Sequence, residues 1–100
     1  MTAQRLLSYR QRLTDTLFKE VVVWRLPQPV PGSLHPFKYR MALIHDGRCV
    51  LRYDNERGKG DHKHFDDQEQ PLPFDTITQL LIDFDRDIRR WRTAYADTDH

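Results

Sequence analysis

The dipeptide Asp46-Gly47 narrows the possible folds of this chain more than any other feature. It separates residues 37–45 from residues 48–55, two runs rich in apolar and aromatic side chains. Asp-Gly readily supplies the two positive φ angles of a type I′ turn, whose twist matches that of paired strands. The sequence therefore predicts a two-residue β-hairpin. Counting back from the turn pairs Ile44 with Cys49, Ala42 with Leu51 and Arg40 with Tyr53.

The segments around this hairpin predict further strands and two helices. Apolar side chains at steps of three and four, from Leu6 to Leu17, indicate an amphipathic helix over residues 3–17. Residues 18–26 are predicted to form a strand because their centre is β-branched and aromatic. Asp75 is a suitable N-cap for a second helix over residues 75–95. Residues 63–65 are a further candidate strand, and residues 66–70 are predicted to form a polar turn.

Together these elements predict one α+β domain over residues 1–100. It has an N-terminal helix, an antiparallel sheet of three to four strands with a central Asp-Gly hairpin, and a C-terminal helix. Four of the six prolines lie in residues 27–36, which predicts an irregular loop. Cys49 is the only cysteine, and its apolar neighbours predict a buried thiol.

Charge and hydropathy bear on the partners of the chain. Residues 1–60 carry eleven Lys or Arg and five Asp or Glu, whereas residues 61–100 carry five and ten. The basic part suits a polyanion such as RNA, but the acidic part can equally pair with it inside the fold. No apolar run approaches the roughly 20 residues of a membrane helix, and the N-terminus lacks the pattern of a secretory signal. A cytoplasmic protein without a membrane partner is expected.

The segment from Arg52 to His64 concentrates side chains that can do chemistry. The predicted catalytic residues are His62, His64, Lys59 and Asp54, and the predicted substrate-binding residues are Arg52, Tyr53, Asn55, Arg40, Gly58 and Gly60. On an extended strand His62 and His64 point the same way, and imidazoles titrate near neutral pH. They can therefore serve as base and acid in the attack of an RNA 2′-hydroxyl on its phosphate.

The other predicted site residues support this chemistry. Lys59 and Arg52 would stabilise charge on the phosphate, and Asp54 and Asn55 would orient the loop. Backbone amides freed by the two glycines would form an anion cradle. Arg40 and Tyr53, with their neighbours, would hold phosphates and stack bases. No metal and no cofactor are part of this assignment.

Two other interpretations of the same residues remain open. His-x-His together with Asp61, Asp54 or Asp66 offers nitrogen and oxygen ligands for a metal, although the spacing specifies no fourth ligand. In a purely structural interpretation, the acidic and amide side chains cap a turn, the glycines supply positive φ and the histidines are exposed on an edge strand.

One family shares this pattern. The run Tyr53-Asp54-Asn55-x-x-Gly58-Lys59-Gly60-x-His62-x-His64, followed by Pro71 to Phe74 and a helix rich in Leu and Phe, resembles the TumE-like toxins of prokaryotic type II toxin-antitoxin systems. The resemblance is strongest over residues 37–84. It implies a growth-inhibiting protein neutralised by a cognate antitoxin that looks like a helix-turn-helix protein. The predicted order of elements is also similar to the RelE and ParE group, in which some members cut messenger RNA and others poison gyrase.

The predicted function is therefore that of a toxin that inhibits growth by metal-independent cleavage of RNA, acting on RNA or the ribosome. A non-catalytic toxin that inhibits a protein target such as gyrase, and a small metal-binding domain, are the alternatives. These three functions require different arrangements of the side chains around His62 and His64.

Overall fold

The computed structural model describes residues 2–95 as a six-stranded antiparallel sheet with one helix on one face. The elements are β1 (Gln4–Arg12), β2 (Leu17–Arg25), β3 (Phe37–His45), β4 (Arg48–Glu56), β5 (Gly60–Phe65), β6 (Gln68–Pro71) and α1 (Ile77–Tyr95). Each strand pairs with the next one along the chain, so the spatial order is β1-β2-β3-β4-β5-β6. The predicted fold with an N-terminal helix and a sheet of three to four strands is therefore wrong. The predicted C-terminal helix is present.

The N-terminal segment is a strand because β2 offers it a partner. Residues 13–16 form a tight turn in which the Leu13 amide donates to the Leu17 carbonyl at 2.8 Å. From this turn, β1 pairs with β2 from Arg12 opposite Phe18 to Gln4 opposite Arg25, with a register shift between Arg5 and Leu7. β2 is rich in β-branched side chains, and pairing with it outweighs the helical spacing that predicted a helix over residues 3–17. A side-chain contact also joins the two strands, because the Arg10 guanidinium of β1 lies over the Phe18 ring of β2, 3.8 Å from the ring centre.

The predicted hairpin between β3 and β4 is confirmed, but its register changes after the first pair. Asp46 and Gly47 have φ angles of 51° and 77°, as a type I′ turn requires. Beyond the pair of Ile44 and Cys49, Val50 is an extra residue, so that Leu43 lies opposite Leu51. The predicted pairs Ala42 with Leu51 and Arg40 with Tyr53 are therefore wrong. Instead Ala42 pairs with Arg52, Met41 with Tyr53 and Arg40 with Asp54.

The core lies between the sheet and α1. The helix contributes Leu80, Phe84, Ile88 and Trp91, which pack on buried side chains of β2, β3 and β4 such as Val21, Met41, Leu51 and Tyr53. Thr76, rather than the predicted Asp75, caps the helix, because its hydroxyl oxygen accepts the Gln79 amide at 3.0 Å. The side of the sheet away from α1 is called the open face below.

The second half of the sheet is longer than the sequence predicted. β5 covers Gly60–Phe65 rather than residues 63–65 alone, and β6 occupies Gln68–Pro71 where a polar turn was expected. Cys49 is exposed, so the prediction of a buried thiol is wrong. Across residues 2–95, α1 is too polar to qualify as a membrane-spanning helix.

Candidate active site on the open face of the sheet

Four of the predicted site residues meet on the open face, at the end of β4 and the start of β5. Asp54 lies opposite His62, and Arg52 lies opposite His64. Successive residues of a strand point to opposite faces, so these four side chains share the face away from α1. They are called the open-face cluster. Arg40 of β3 lies opposite Asp54 on the same face.

His62 is the most enclosed member of the open-face cluster. Its side chain is only 4% exposed, and its Nε2 lies 2.8 Å from Asp54 Oδ1. The two atoms lack the alignment of a hydrogen bond, although they are close. On the other side of the ring, Nδ1 lies 3.1 Å from the Gly60 carbonyl oxygen. Both ring nitrogens therefore lie near oxygen atoms that can accept an N–H.

His64 stands beside His62 with its ring turned edge-on. The ring centres are 5.3 Å apart and the planes cross at 74°. Among the described residues, four buried polar atoms of the open-face cluster have no aligned hydrogen-bond partner: Arg52 Nε, Asp54 Oδ1, His62 Nε2 and His64 Nε2. Leaving one such atom unpaired costs about 1–3 kcal/mol. Four such atoms in one place make the open-face cluster a candidate binding site.

Two glutamates and a lysine border the open-face cluster. Glu56 Oε1 lies 3.6 Å from His62 Nε2. Glu69 of β6 reaches both imidazoles, with one oxygen 3.9 Å from His62 Nε2 and the other 3.7 Å from His64 Nε2. Lys59 Nζ lies 3.7 Å from Glu69 and so contacts the cluster through that carboxylate. With Glu69 in this position, the imidazoles face a surplus of negative charge.

A groove adjoins the open-face cluster across β2, β3 and β4. Its volume is about 260 Å³, and its lining includes Val22, Trp24, Lys38, Arg40 and Asp54. Lys38 Nζ donates to the Asn55 carbonyl oxygen, and Arg40 lies 3.7 Å from Glu20. An indole beside two cations is a surface on which a base can stack while its phosphate is neutralised.

Two overlapping sets of ligand atoms could hold a metal ion. One set is His62, His64 and Glu69, and the other is Asp54, Glu56 and His62; within each set the atoms lie within 4.8 Å of one another. Asp54 was a predicted ligand, but the two glutamates were not. Asp61 and Asp66, the other predicted ligands, lie elsewhere.

The structure places Tyr53 and Asn55 on the helix side of the sheet, away from the open-face cluster. The Tyr53 hydroxyl donates to Asp87 of α1 at 2.5 Å. Burial, followed by this hydrogen bond, raises the pKa of Tyr53, so the phenol is a fixed donor in the core. Asn55 is fully buried, where its side chain accepts the Tyr39 amide and donates to the Phe37 carbonyl.

Asp61 is the centre of a second polar network on the helix side. Its carboxylate accepts the hydroxyls of Ser33 and Tyr39 at 2.8 Å each, and it lies 2.6 Å from His35 Nε2. Burial, then the hydrogen bond to Asp61, raises the pKa of Tyr39. The His35 ring stacks on Phe74 with centres 3.6 Å apart. Every group here has a partner, so the network fixes the proline loop on the sheet.

The two predicted substrate-binding glycines serve the same loop contact. The Gly58 amide donates to the Pro31 carbonyl at 2.7 Å, and the Lys59 amide donates to the Glu56 carbonyl at 3.0 Å. A Cβ atom on Gly60 would lie 2.7 Å from the Gly32 carbonyl oxygen. The amides of Gly58 and Lys59 are thus already bonded, and glycine is needed at position 60 for close packing of backbone on backbone.

Sequence reasoning missed Glu56, Glu69 and the role of His35. Glu69 was not predicted as a site residue because residues 66–70 were interpreted as a turn. Residues 68–71 are Gln-Glu-Gln-Pro, which show no alternation of polar and apolar side chains, so the sequence carried no signal that Glu69 lies across from His64. For His35 the sequence carries no signal, because its partner Asp61 lies 26 positions away.

A family model described as Toxin TumE matches residues 2–92. The matched segment contains all six strands and most of α1, and it includes the whole open-face cluster. No curated protein and no solved structure matches the chain.

Proposed function

Because this chain belongs to the TumE toxin family, and is thus a toxin of a toxin-antitoxin system with an antitoxin as partner, we propose that it arrests growth by cleaving RNA at the open-face cluster. The observation that carries the proposal is the pair of buried imidazole Nε2 atoms without aligned partners, beside Arg52 and next to a groove lined by cations and an indole.

In the proposed reaction the imidazoles exchange two protons with the substrate. His64 accepts the proton of a ribose 2′-hydroxyl, and the 2′-oxygen attacks the adjacent phosphorus. The bond from phosphorus to the 5′-oxygen breaks, and the His62 imidazolium donates a proton to that oxygen. The products are a 2′,3′-cyclic phosphate and a free 5′-hydroxyl. Asp54 Oδ1, which lies 2.8 Å from His62 Nε2, orients this imidazole for the transfer.

Positive charge for the reacting phosphate comes from Arg52 and Lys59. Arg52 Nε lies 3.1 Å from Asp54 Oδ2, which fixes the guanidinium at the cluster. Lys59 reaches the phosphate when Glu69 releases it. The RNA lies along the open face, with a base on Trp24 and an adjacent phosphate near Lys38 and Arg40.

The reaction can be tested by comparing the variant His64→Ala with the matched control variant His45→Ala. The two histidine side chains are similarly exposed, at 27% and 29%, but His45 lies at the other end of the sheet beside Asp46. Removing a proton-transfer group should slow RNA cleavage about 10²–10⁴-fold. The control should cleave at the wild-type rate. Both variants should unfold at similar temperatures, which excludes misfolding as the cause.

The assay uses antitoxin-free protein in chelator, with purified RNA in one arm and translating ribosomes in the other. The proposal predicts cleavage with cyclic phosphate ends in at least one arm. Growth arrest with intact RNA in both arms would contradict it and point to a protein target such as gyrase.

The antitoxin is proposed to be a helix-turn-helix protein that binds this chain directly. Co-expression should restore growth, and the two proteins should purify together. Rescue of growth by a neighbouring gene product that makes no complex with the toxin would contradict direct neutralisation.

A further inference from the structure

From the geometry around Glu69, we infer that the open-face cluster also binds one Zn²⁺ ion, held by His62, His64 and Glu69, and that the bound ion keeps the toxin inactive. The inactivation part of this inference rests on the proposed RNA cleavage, because zinc and substrate would use the same two imidazole nitrogens. The binding part rests on the coordinates of three side chains alone.

The ligand atoms already stand near the spacing that zinc requires. Glu69 Oε1 is 3.9 Å from His62 Nε2, and Glu69 Oε2 is 3.7 Å from His64 Nε2. Two ligands of a tetrahedral zinc ion, each about 2.0–2.1 Å from it, are roughly 3.3 Å apart. All three ligand atoms lie within 4.8 Å of one another. The excess over this spacing can close by rotation of Glu69 and His64, whose side chains are 42% and 27% exposed.

His62 is oriented as zinc-binding histidines are. Its Nδ1 lies 3.1 Å from the Gly60 carbonyl oxygen, which can accept the Nδ1 proton and leave the Nε2 lone pair free for a metal. That Nε2 atom is buried and has no aligned partner in residues 2–95. A cation between His62 Nε2 and the nearby carboxylates would coordinate the nitrogen lone pair and the carboxylate oxygens at the same time. The same Nε2 atom therefore carries either a proton for catalysis or a zinc ion.

Charge also favours a cation while Glu69 is in place. The carboxylates of Asp54, Glu56 and Glu69 all lie within 4 Å of His62 Nε2. Three carboxylates outnumber the two cations beside them, Arg52 and Lys59, so a divalent ion is attracted more strongly than an RNA phosphate while Glu69 is in place. Two nitrogen ligands with carboxylate oxygen suit zinc better than magnesium or calcium, which prefer oxygen alone.

Glu69 accordingly distinguishes the two states of the site. When Glu69 binds zinc, it covers both imidazoles and holds negative charge where the phosphate must enter. When Glu69 turns outward with Lys59, the imidazoles become accessible. Removal of zinc is the event that we expect to convert the covered state into the active one.

Zinc binding is measured by calorimetry on tag-free full-length protein that has been stripped with chelator, with zinc chloride as titrant and no RNA. Wild-type protein should bind one ion per chain. Glu69→Gln should weaken binding at least tenfold, since it removes the charged ligand. The matched control Glu20→Gln alters another glutamate of the open face, one that lies near Arg10 and Arg40, and should bind zinc as wild type does.

A cleavage assay with the same proteins tests inactivation. One equivalent of zinc should suppress cleavage by wild type at least tenfold, but it should leave cleavage by the Glu69→Gln variant at that variant's own rate in chelator. Absence of one-site binding, or unchanged affinity in Glu69→Gln, would overturn the zinc site without touching the proposed cleavage. Cleavage only when zinc is present would overturn inactivation. Zinc binding by a protein that cleaves no RNA under either condition would support the site and overturn the proposed function.

Discussion

Asp87 is the buried charge on which the contact between α1 and the sheet depends, and Asp87→Asn tests it. The residue is 0% exposed. Its carboxylate accepts the Tyr53 hydroxyl at 2.5 Å and the Lys63 ammonium at 3.0 Å. The substitution keeps the shape and an acceptor for the hydroxyl, but it leaves the Lys63 charge, in a side chain only 15% exposed, without its partner. Removing one member of a buried ion pair costs about 3–5 kcal/mol.

We expect the low end, about 3 kcal/mol, because the new amide still accepts from Tyr53 and because Lys63 is not fully buried. For a domain of this size, that loss lowers the midpoint of thermal unfolding by roughly 12–24 °C. The measurement is equilibrium unfolding in urea at pH 7, followed by tryptophan fluorescence. Asp83→Asn on the same helix is the control. It loses an exposed pair with Arg86, and we expect a cost below about 0.5 kcal/mol.

The pH dependence of this difference gives a second, independent check. Burial acts to raise the pKa of Asp87, but hydrogen bonds from Tyr53 and Lys63 outweigh it, so the pKa lies below its usual value. A carboxyl with a lowered folded pKa stabilises the protein fully above its unfolded pKa, about 3.9, and loses that contribution as pH falls through the folded pKa. The gap between wild type and Asp87→Asn should therefore shrink below about pH 4. A gap under about 1 kcal/mol at pH 7, or one that is unchanged at pH 3, would refute the reasoning.

Two further substitutions test how the proline loop is fixed. Gly32→Ala should cost at least about 1 kcal/mol more than Gly47→Ala in urea unfolding. Both glycines have positive φ, but only at Gly32 would a Cβ meet backbone, 2.9 Å from Gly60 N; equal costs would exclude that close contact. Asn55→Ala should cost about 3 kcal/mol, because it strips the buried Tyr39 amide and another backbone group of their partners. A loss below about 1 kcal/mol would mean that water replaces the amide.

Local signals in the sequence predicted the elements that depend on local chemistry. The Asp46-Gly47 turn needs only its own two residues, and α1 carries apolar residues at helical spacing over five turns. The prediction of a helix for the N-terminal segment was wrong because the conformation of this segment depends on its pairing with β2. Apolar side chains keep helical spacing from Leu6 to Leu17, but that pattern is outweighed by the ladder to β2, which only a register shift between Arg5 and Leu7 interrupts.

One residue of register explains why Tyr53 lies apart from the other predicted site residues on β4. Counting from the turn without a bulge put Tyr53 on the same face as Arg40. The extra residue Val50 reverses the faces beyond it, so that Tyr53 enters the core and Asp54 joins Arg40 on the open face. Nothing in the sequence marks Val50 as a bulge, because it is a good strand former in an apolar run. The proximity of His62 and His64 was predictable, since it follows from strand alternation alone.

Strand alternation also separates stability from function along β5. Asp61 and Lys63 point to the helix side, where they hold the proline loop and α1, while His62 and His64 point to the open face. Since neighbouring side chains on one strand serve opposite faces, substitutions at the two odd positions should lower stability. Substitution of His64 should lower cleavage at nearly unchanged stability. A site on a loop would show no such alternation, so this pattern along four consecutive residues is a direct consequence of building the cluster on a strand.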